Sequence, residues 1–382
     1  DGSAPGREGY KDVILASRVE EALARINPGL PKDAIRTLRQ KLASPGETDI
    51  LRANQLISTW MTEGMPIKVR EANGEETTKL ARIVDFENPT SNEWLAVNQF
   101  TVSHDSDAGS RRPDIVLFLN GLPIIVIELK SPDNLEENVW KAFNQIQTYK
   151  EQISRLFYYN VAIVIADGSE ALVGSLSADK ERFTKWRSVD GINRDPHGAF
   201  GHTQTLIEGF LNPISILEVI QHFSIFITGK HSYKMLPAYH QFYAVEKAYQ
   251  RALIASAVNG DGRGGLMWHT QGSGKSYEMS CLAGMLTTSK HLKNPTVFVV
   301  TDRNNLDHQL FDIFMDAKAL MRQTPEQADS REELRELIAS RASGGVIFTT
   351  IQKFAPDENE DKFPVLTDRR NVFVFTDEAH RS

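Results

Sequence analysis

The sequence predicts two α/β domains in series, the second with a parallel sheet covered on both faces. Three observations carry this. Two apolar runs flank Asn120-Gly121, the strongest short-range signal for a tight β-hairpin. A helical stripe and then a buried apolar run, Val161 to Gly168, follow that hairpin. Beyond the glycine-rich turn Gly260 to Gly265, a strand–loop–helix pattern repeats.

The 382 residues suffice for two or three domains, and 41% hydrophobic with 24% charged residues is an ordinary globular balance. A net charge of -7 argues against a uniformly basic surface but leaves room for a local basic groove. The single cysteine, Cys281, excludes a disulfide framework and fits a reducing cytoplasm. No apolar run approaches the ~18 residues that a membrane span needs. Asp1 to Gly9 reads as a polar tail rather than a signal peptide.

Taken in order, Val13, Ile14, Val19, Leu23 and Ile26 recur at helical spacing. Asn27-Pro28-Gly29 interrupts the pattern, and Pro31-Lys32-Asp33 restarts it through Leu42. Alternating residues around Asn73-Gly74, then Trp94 to Phe100, predict antiparallel strands. Next comes the hairpin, and a helix follows it from about Leu135, with Val139, Trp140, Phe143, Ile146 and Tyr149 as its buried stripe. Strands, helix and buried strand in this order are those of a restriction-endonuclease-like α/β domain. An apolar connecting helix is expected over 211–228 and another helix from Tyr239 through Leu253. Strands are then expected at Leu266–His269, Thr296–Thr301, Val346–Thr350 and Val372–Thr376.

The hairpin carries charge at its ends. Asp114 begins the first run, and Glu128 and Lys130 end the second. A turn at Asn120-Gly121 brings these ends together, and residues two apart on a strand share a face. Two carboxylates and an ammonium so placed fit the Pro-Asp…Glu-x-Lys pattern of metal-dependent nucleases. Asp114 and Glu128 suit Mg²⁺, which neutralises charge built up at phosphorus, and Lys130 suits orientation of the attacking water. Arg111, Arg112 and Lys141 are available for phosphate contacts.

A second centre lies downstream. His269-Thr270-Gln271-Gly272-Ser273-Gly274-Lys275-Ser276 follows a predicted strand and opens a helix, the context of a phosphate-binding loop. Its backbone N–H groups and the helix N-terminus suit an anion. Lys275 would reach the β- and γ-phosphates of ATP, and Ser276 would ligate Mg²⁺. Histidine stands at the first position, where the usual motif has glycine. Asp377-Glu378-Ala379-His380 closes the strand Val372–Thr376, at the strand end where open α/β sheets bind ligands. There Asp377 would hold Mg²⁺ and Glu378 would polarise water.

These motifs resemble the first motor domain of superfamily 2 helicases and translocases. The resemblance assigns Thr270, Gly272, Ser273, Gly274, Lys275, Ser276, Asp377 and His380 to the nucleotide site, with Gln241 reading adenine. It also assigns Asp302, Arg303 and Asn304, then Thr350 and Lys353, to nucleic-acid contacts. Gln145 and Tyr149, four apart on one helix face, add a Gln-x-x-x-Tyr motif after the nuclease pattern. Nuclease and motor together, in this order, resemble the restriction (R) subunit of type I restriction–modification enzymes over nearly the whole chain. That resemblance implies an ATP-dependent DNA translocase that cuts double-stranded DNA away from its recognition site, in complex with methyltransferase (M) and specificity (S) subunits. In it Asp114, Glu128, Lys130, Gln145, Tyr149 and Glu378 are catalytic.

The expected domains are 1–205, a nuclease domain with N-terminal helices; 206–235, a connecting helical segment; and 236–382, a first RecA-like motor domain. The family's second motor domain is not expected within these residues, so the chain should be an N-terminal fragment and a poor ATPase by itself; an arginine finger contributes about 10³–10⁵ in rate. The rival expectation is another superfamily 2 translocase whose N-terminal domain binds DNA without cutting it.

Overall fold

The computed structural model describes residues 6–70, 74–106, 109–131, 138–168, 170–198, 201–229, 231–270, 272–301, 304–354, 356 and 365–377, with backbone alone over 304–308. The chain divides into two compact units, Asp1–Tyr239 and His240–Ser382.

The first unit opens with helices α1 (Ala16–Ile26), α2 (Lys32–Ala43) and α3 (Ile50–Glu63). Val19, Leu23 and Ile26 form the buried stripe of α1, and Ile35, Leu38 and Leu42 that of α2, at the three-to-four spacing of an amphipathic helix. Asp49 caps α3 by accepting from the Leu51 and Arg52 amides, and Gly64 at φ 93° ends it. Strands β1 (Met65–Arg70) and β2 (Glu76–Ala81) pair antiparallel, and β1 alternates buried and exposed residues.

The main sheet of this unit has six strands. They are β3 (Trp94–Asn98), β6 (Ile115–Leu119), β7 (Leu122–Leu129), β8 (Ala162–Ala166), β9 (Ala171–Gly174) and β10 (Thr184–Lys185); a short pair, β4 (Val102–Ser103) and β5 (Ser110–Arg111), lies apart. The order is β10-β9-β8-β7-β6-β3. Only the β7–β8 pair is parallel, with α4 (Val139–Gln152) as its crossover. The central β8 is buried along its whole length, which explains its unbroken apolar run.

The β6–β7 turn forms at Asn120-Gly121, with φ values of 52° and 80°. Asn120 is buried, and its amide bonds the Ile83 carbonyl, Asn92 and the Glu93 N–H. A Cβ on Gly121 would lie 2.8 Å from the Leu15 carbonyl oxygen and 2.9 Å from the Val19 nitrogen, so only glycine lets the turn approach the start of α1.

The apolar run 211–228 is not a single helix. After α5 (His202–Gly209), Asn212 caps the short α6 (Pro213–Glu218). A π-helical turn then leads to β11 (Ile225–Ile227), which pairs with β12 (Tyr233–Met235). Helix stops here because the backbone of 225–227 finds a strand partner. Residues 206–235, expected as a connector, lie within the first unit. Lys234 from β12 is buried there, with its ammonium on Asn54 Oδ1 at 3.1 Å and the Asn160 carbonyl at 2.7 Å.

The second unit takes in α7 (Tyr239–Ser256) from His240 onward. Then follow α8 (Lys275–Thr288), β13 (Thr296–Thr301), α9 (Asn304–Asp316), α10 (Lys318–Met321), β14 (Glu326–Gln327), α11 (Arg331–Ala339), β15 (Val346–Thr350) and β16 (Val372–Thr376). The sheet order is β14-β15-β13-β16, all parallel. The expected strand Leu266–His269 does not form. No described strand pairs with it, and Leu266 and Trp268 are 73% and 85% exposed. Among the described residues no helix is long and apolar enough to cross a membrane.

Candidate active sites

The hairpin and α4 build the first site. Asp114 precedes β6, Glu128 sits near the end of β7, and Lys130 follows it. The Lys130 ammonium donates to Glu128 Oε1 at 3.1 Å and to Gln145 Oε1 at 2.6 Å. The Gln145 amide in turn donates to the Tyr149 hydroxyl at 2.5 Å. All five residues expected at this site from the first domain are thus brought together. Asp114 is held by two donors, the Leu129 amide on Oδ2 at 2.8 Å and the Gln99 side-chain amide on Oδ1 at 2.9 Å.

Glu128 is 1% exposed. Burial first, and the Asp114 charge second, push its carboxyl up to about 7, against the easing effect of Lys130 and Tyr149. Its Oε2 is buried and accepts no well-formed hydrogen bond among the described residues. An orphaned carboxylate oxygen facing a second carboxylate is a position that a hard divalent cation satisfies. Asp114 and Glu128 therefore fit the metal that the nuclease pattern implies.

An open groove of about 550 Å³ runs past the site, lined by Gln99, Arg111, Arg112, Asp114, Gln145 and Tyr149 among others. Arg111 is engaged with Gln152 on α4 at 2.5 Å. Gln99, Asn144 and Thr148 were not singled out in the sequence. Asn144 and Thr148 flank Gln145 at helical spacing, so the face defined by Gln145 and Tyr149 contained the signal for them. Gln99 had none.

The second site centres on the start of α8. Gly274 adopts φ 88° just before the helix, and Gly272 adopts φ 79°, so the loop uses the backbone freedom of both glycines. Lys275 and Ser276 occupy the first turn. The Thr270 carbonyl accepts from the Ser273 amide at 3.2 Å. Gln241 donates to the Ser273 carbonyl at 2.7 Å, and its amide packs where a side chain on Gly274 would stand. Gln241, expected to read adenine, thus bonds the backbone of this glycine-rich loop in the structure.

The histidine in the loop's first position has a partner. His269 Nδ1 lies 2.7 Å from Oε1 of Glu278, which α8 buries to 1% exposure. Burial raises the Glu278 carboxyl, and His269 and Lys275 oppose that shift. His240 completes a cluster whose ligand-type atoms lie within 4.8 Å of one another. A cation there would meet repulsion from Lys275 and from the positive end of α8, which disfavours a metal at this cluster.

Asp377 follows β16 and donates its amide to the Val300 carbonyl at 3.2 Å, which places it at the C-terminal edge of the sheet. Thr350 ends β15 on the same edge and is 3% exposed. The Lys353 ammonium bonds the Ala328 carbonyl. Asp302, Arg303, Glu378 and His380 lie outside the described residues, and Asn304 is described in its backbone alone.

Residues 1–182 match the family described as Type I restriction enzyme R protein N terminus. The chain is 43% identical over 374 residues, 97% of its length, to the Type I restriction enzyme HindI endonuclease subunit of Haemophilus influenzae, 35% of which is covered. The chain belongs to the type I restriction enzyme R-protein family. A second R-protein relative, the putative type I restriction enzyme MjaIXP endonuclease subunit of Methanocaldococcus jannaschii, is 34% identical over 98% of this chain and 37% of its own length. The chain thus spans about a third of the length of these relatives. Residues 240–382 match the SWI2/SNF2 ATPase family. This R-protein chain is therefore a nuclease-type α/β domain followed by a parallel-sheet motor domain.

Proposed function

We propose that this chain supplies the cutting centre and the first half of the motor of an ATP-driven restriction endonuclease acting on double-stranded DNA. The observation that carries the reading is the buried Glu128 carboxylate beside Asp114, one oxygen of which has no well-formed hydrogen bond among the described residues, with Lys130, Gln145 and Tyr149 joined in one hydrogen-bonded chain. Asp114 and Glu128 would hold Mg²⁺, which supplies charge neutralisation at the phosphodiester. Lys130, held between Glu128 and Gln145, orients water and opposes the negative charge developing on phosphate. Gln145 and Tyr149 hold that ammonium in place. Arg111 and Arg112 at the groove suit the DNA backbone.

In the motor, the loop from Thr270 to Ser276 would bind ATP, with Lys275 on its terminal phosphates and Ser276 and Asp377 toward Mg²⁺. Asp302, Arg303, Asn304, Thr350 and Lys353 are the proposed DNA contacts, Glu378 the proposed water-polarising group and His380 a proposed member of the nucleotide site. The partners are methyltransferase and specificity subunits, the latter choosing the DNA site.

The test is ATPase and DNA cleavage by the full-length protein with those partners. Lys130→Ala should abolish cutting and keep ATP hydrolysis. Lys275→Ala should abolish both, because cutting waits on translocation. Cutting that survives Lys130→Ala would instead favour a domain that only binds DNA.

A further inference from the structure

Asp114 and Glu128 repel each other across the hairpin, and that repulsion is among the causes that raise Glu128. Something must keep Asp114 turned toward its neighbour. One restraint is the Leu129 amide, fixed by the backbone of β7. The other is a side chain, Gln99, just beyond the end of β3.

Gln99 occupies an unusual backbone conformation. Its φ is 54°, in the left-handed region that a non-glycine residue adopts at a cost. The surrounding pairing holds it there. The Gln99 amide donates to the Asp114 carbonyl at 2.7 Å, and the next amide, of Phe100, donates to the Pro113 carbonyl at 3.1 Å. Phe100 is fully buried and packs edge-on against Phe118 at 5.1 Å. The kink turns the Gln99 side chain onto Asp114 Oδ1, at the lip of the groove.

The chemistry of the donor matters. A lysine or arginine here would neutralise Asp114 and compete with a bound cation. A carboxamide fixes the carboxylate and leaves its charge available. Two of the nearby cations are engaged elsewhere: Arg111 on Gln152, and Lys130 on Glu128 and Gln145.

We propose that Gln99 is a positioning residue of the nuclease centre: from its left-handed backbone, its amide holds the Asp114 carboxylate against repulsion by Glu128 and so sets the affinity for the divalent ion. The inference rests on the metal-dependent nuclease reading above.

The experiment is Mn²⁺ titration calorimetry on the full-length protein without nucleotide, with thermal unfolding in parallel. Glycine and asparagine both tolerate a left-handed backbone, and neither reaches Asp114 with an amide in this register. Gln99→Gly and Gln99→Asn should therefore unfold at or above the wild-type temperature yet bind Mn²⁺ about 10–100-fold more weakly. In the assembled complex, their cleavage should need more Mg²⁺ for half-saturation, with the maximal rate largely recovered at high Mg²⁺. Wild-type Mn²⁺ affinity in both variants would overturn the proposal and leave the nuclease reading intact. Mn²⁺ binding that survives Asp114→Asn would overturn the nuclease reading and this role together.

Discussion

Lys130 reaches only one oxygen of Glu128: its ammonium lies 3.1 Å from Oε1, while Oε2 stays buried without a well-formed hydrogen bond among the described residues. The carboxyl is consequently pushed up to about 7, by burial first and Asp114 second. The folded protein then binds a proton there that the unfolded chain, with an ordinary carboxyl near 4.5, does not bind between those two values. The metal-free protein should gain stability as pH falls from 7 toward 4.5. A cation must displace this proton, so Mn²⁺ affinity should fall about tenfold per pH unit below 7. Calorimetry from pH 6 to 8 checks the slope.

Glu128→Gln removes a buried charge and keeps the shape. The metal-free variant should be more stable than wild type at pH 8, by about 1–2 kcal/mol, while losing DNA cleavage. Urea denaturation beside a cleavage assay measures both. Equal stability at pH 8 would mean that Lys130 already compensates the charge.

Lys234 presents the opposite sign. Burial lowers its ammonium to about 7, and its acceptors, Asn54 and the Asn160 carbonyl, are neutral. Between pH 7 and the ordinary lysine value near 10.4, the unfolded chain binds the extra proton, so stability should rise with pH. The slope should be at most about 1.4 kcal/mol per pH unit. Denaturation at pH 7, 8 and 9 should show the rise in wild type and its loss in Lys234→Met.

Gln241 grips the Ser273 carbonyl at 2.7 Å. Gln241→Ala should loosen the phosphate loop and weaken ATP and GTP alike, by about 5–10-fold, the worth of one hydrogen bond. A variant that lost ATP but bound GTP as before would show the side chain to be an adenine reader instead. Fluorescent-nucleotide competition on the full-length protein separates the two.

Gly121→Ala would drive a Cβ toward the Leu15 carbonyl oxygen at 2.8 Å, at a backbone φ of 80°. The expected loss is about 2 kcal/mol or more. Because this turn sets the pairing Ile115↔Ile127, Mn²⁺ binding at Asp114 and Glu128 should weaken with it. Thermal unfolding and calorimetry report the two effects.

The sequence was most legible where one residue type is obligatory. Asn120-Gly121 announced its turn because both positions need positive φ, and the turn then fixed which charges meet. Gln145 and Tyr149 were legible through helical spacing alone. Gln99 was not, since a glutamine with positive φ has no local signature; long-range pairing with Pro113 and Asp114 puts it there. The run 211–228 was apolar enough for a helix, but a strand partner six to ten residues further along outweighed local preference. Lys234 alternates out of phase with Tyr233 and Met235, as a solvent-facing residue would, yet that face of β12 meets Asn54 and Asn160. Leu266 to Trp268 had strand composition but no described neighbour to pair with, and a ladder needs two sides.

The two-residue turn between β6 and β7 also bears on the order of folding. Neighbouring strands across a tight turn pair early, whereas β7 meets β8 only after α4 has crossed over. Asp114 and Glu128 therefore confront each other before Gln145 and Tyr149 arrive to steady Lys130. On that order the nascent domain meets the Asp114–Glu128 repulsion as an electrostatic step, with Gln145 and Tyr149 still absent. Mild acid or a divalent ion lowers that step, so each should act as a folding accelerant well before any DNA is bound.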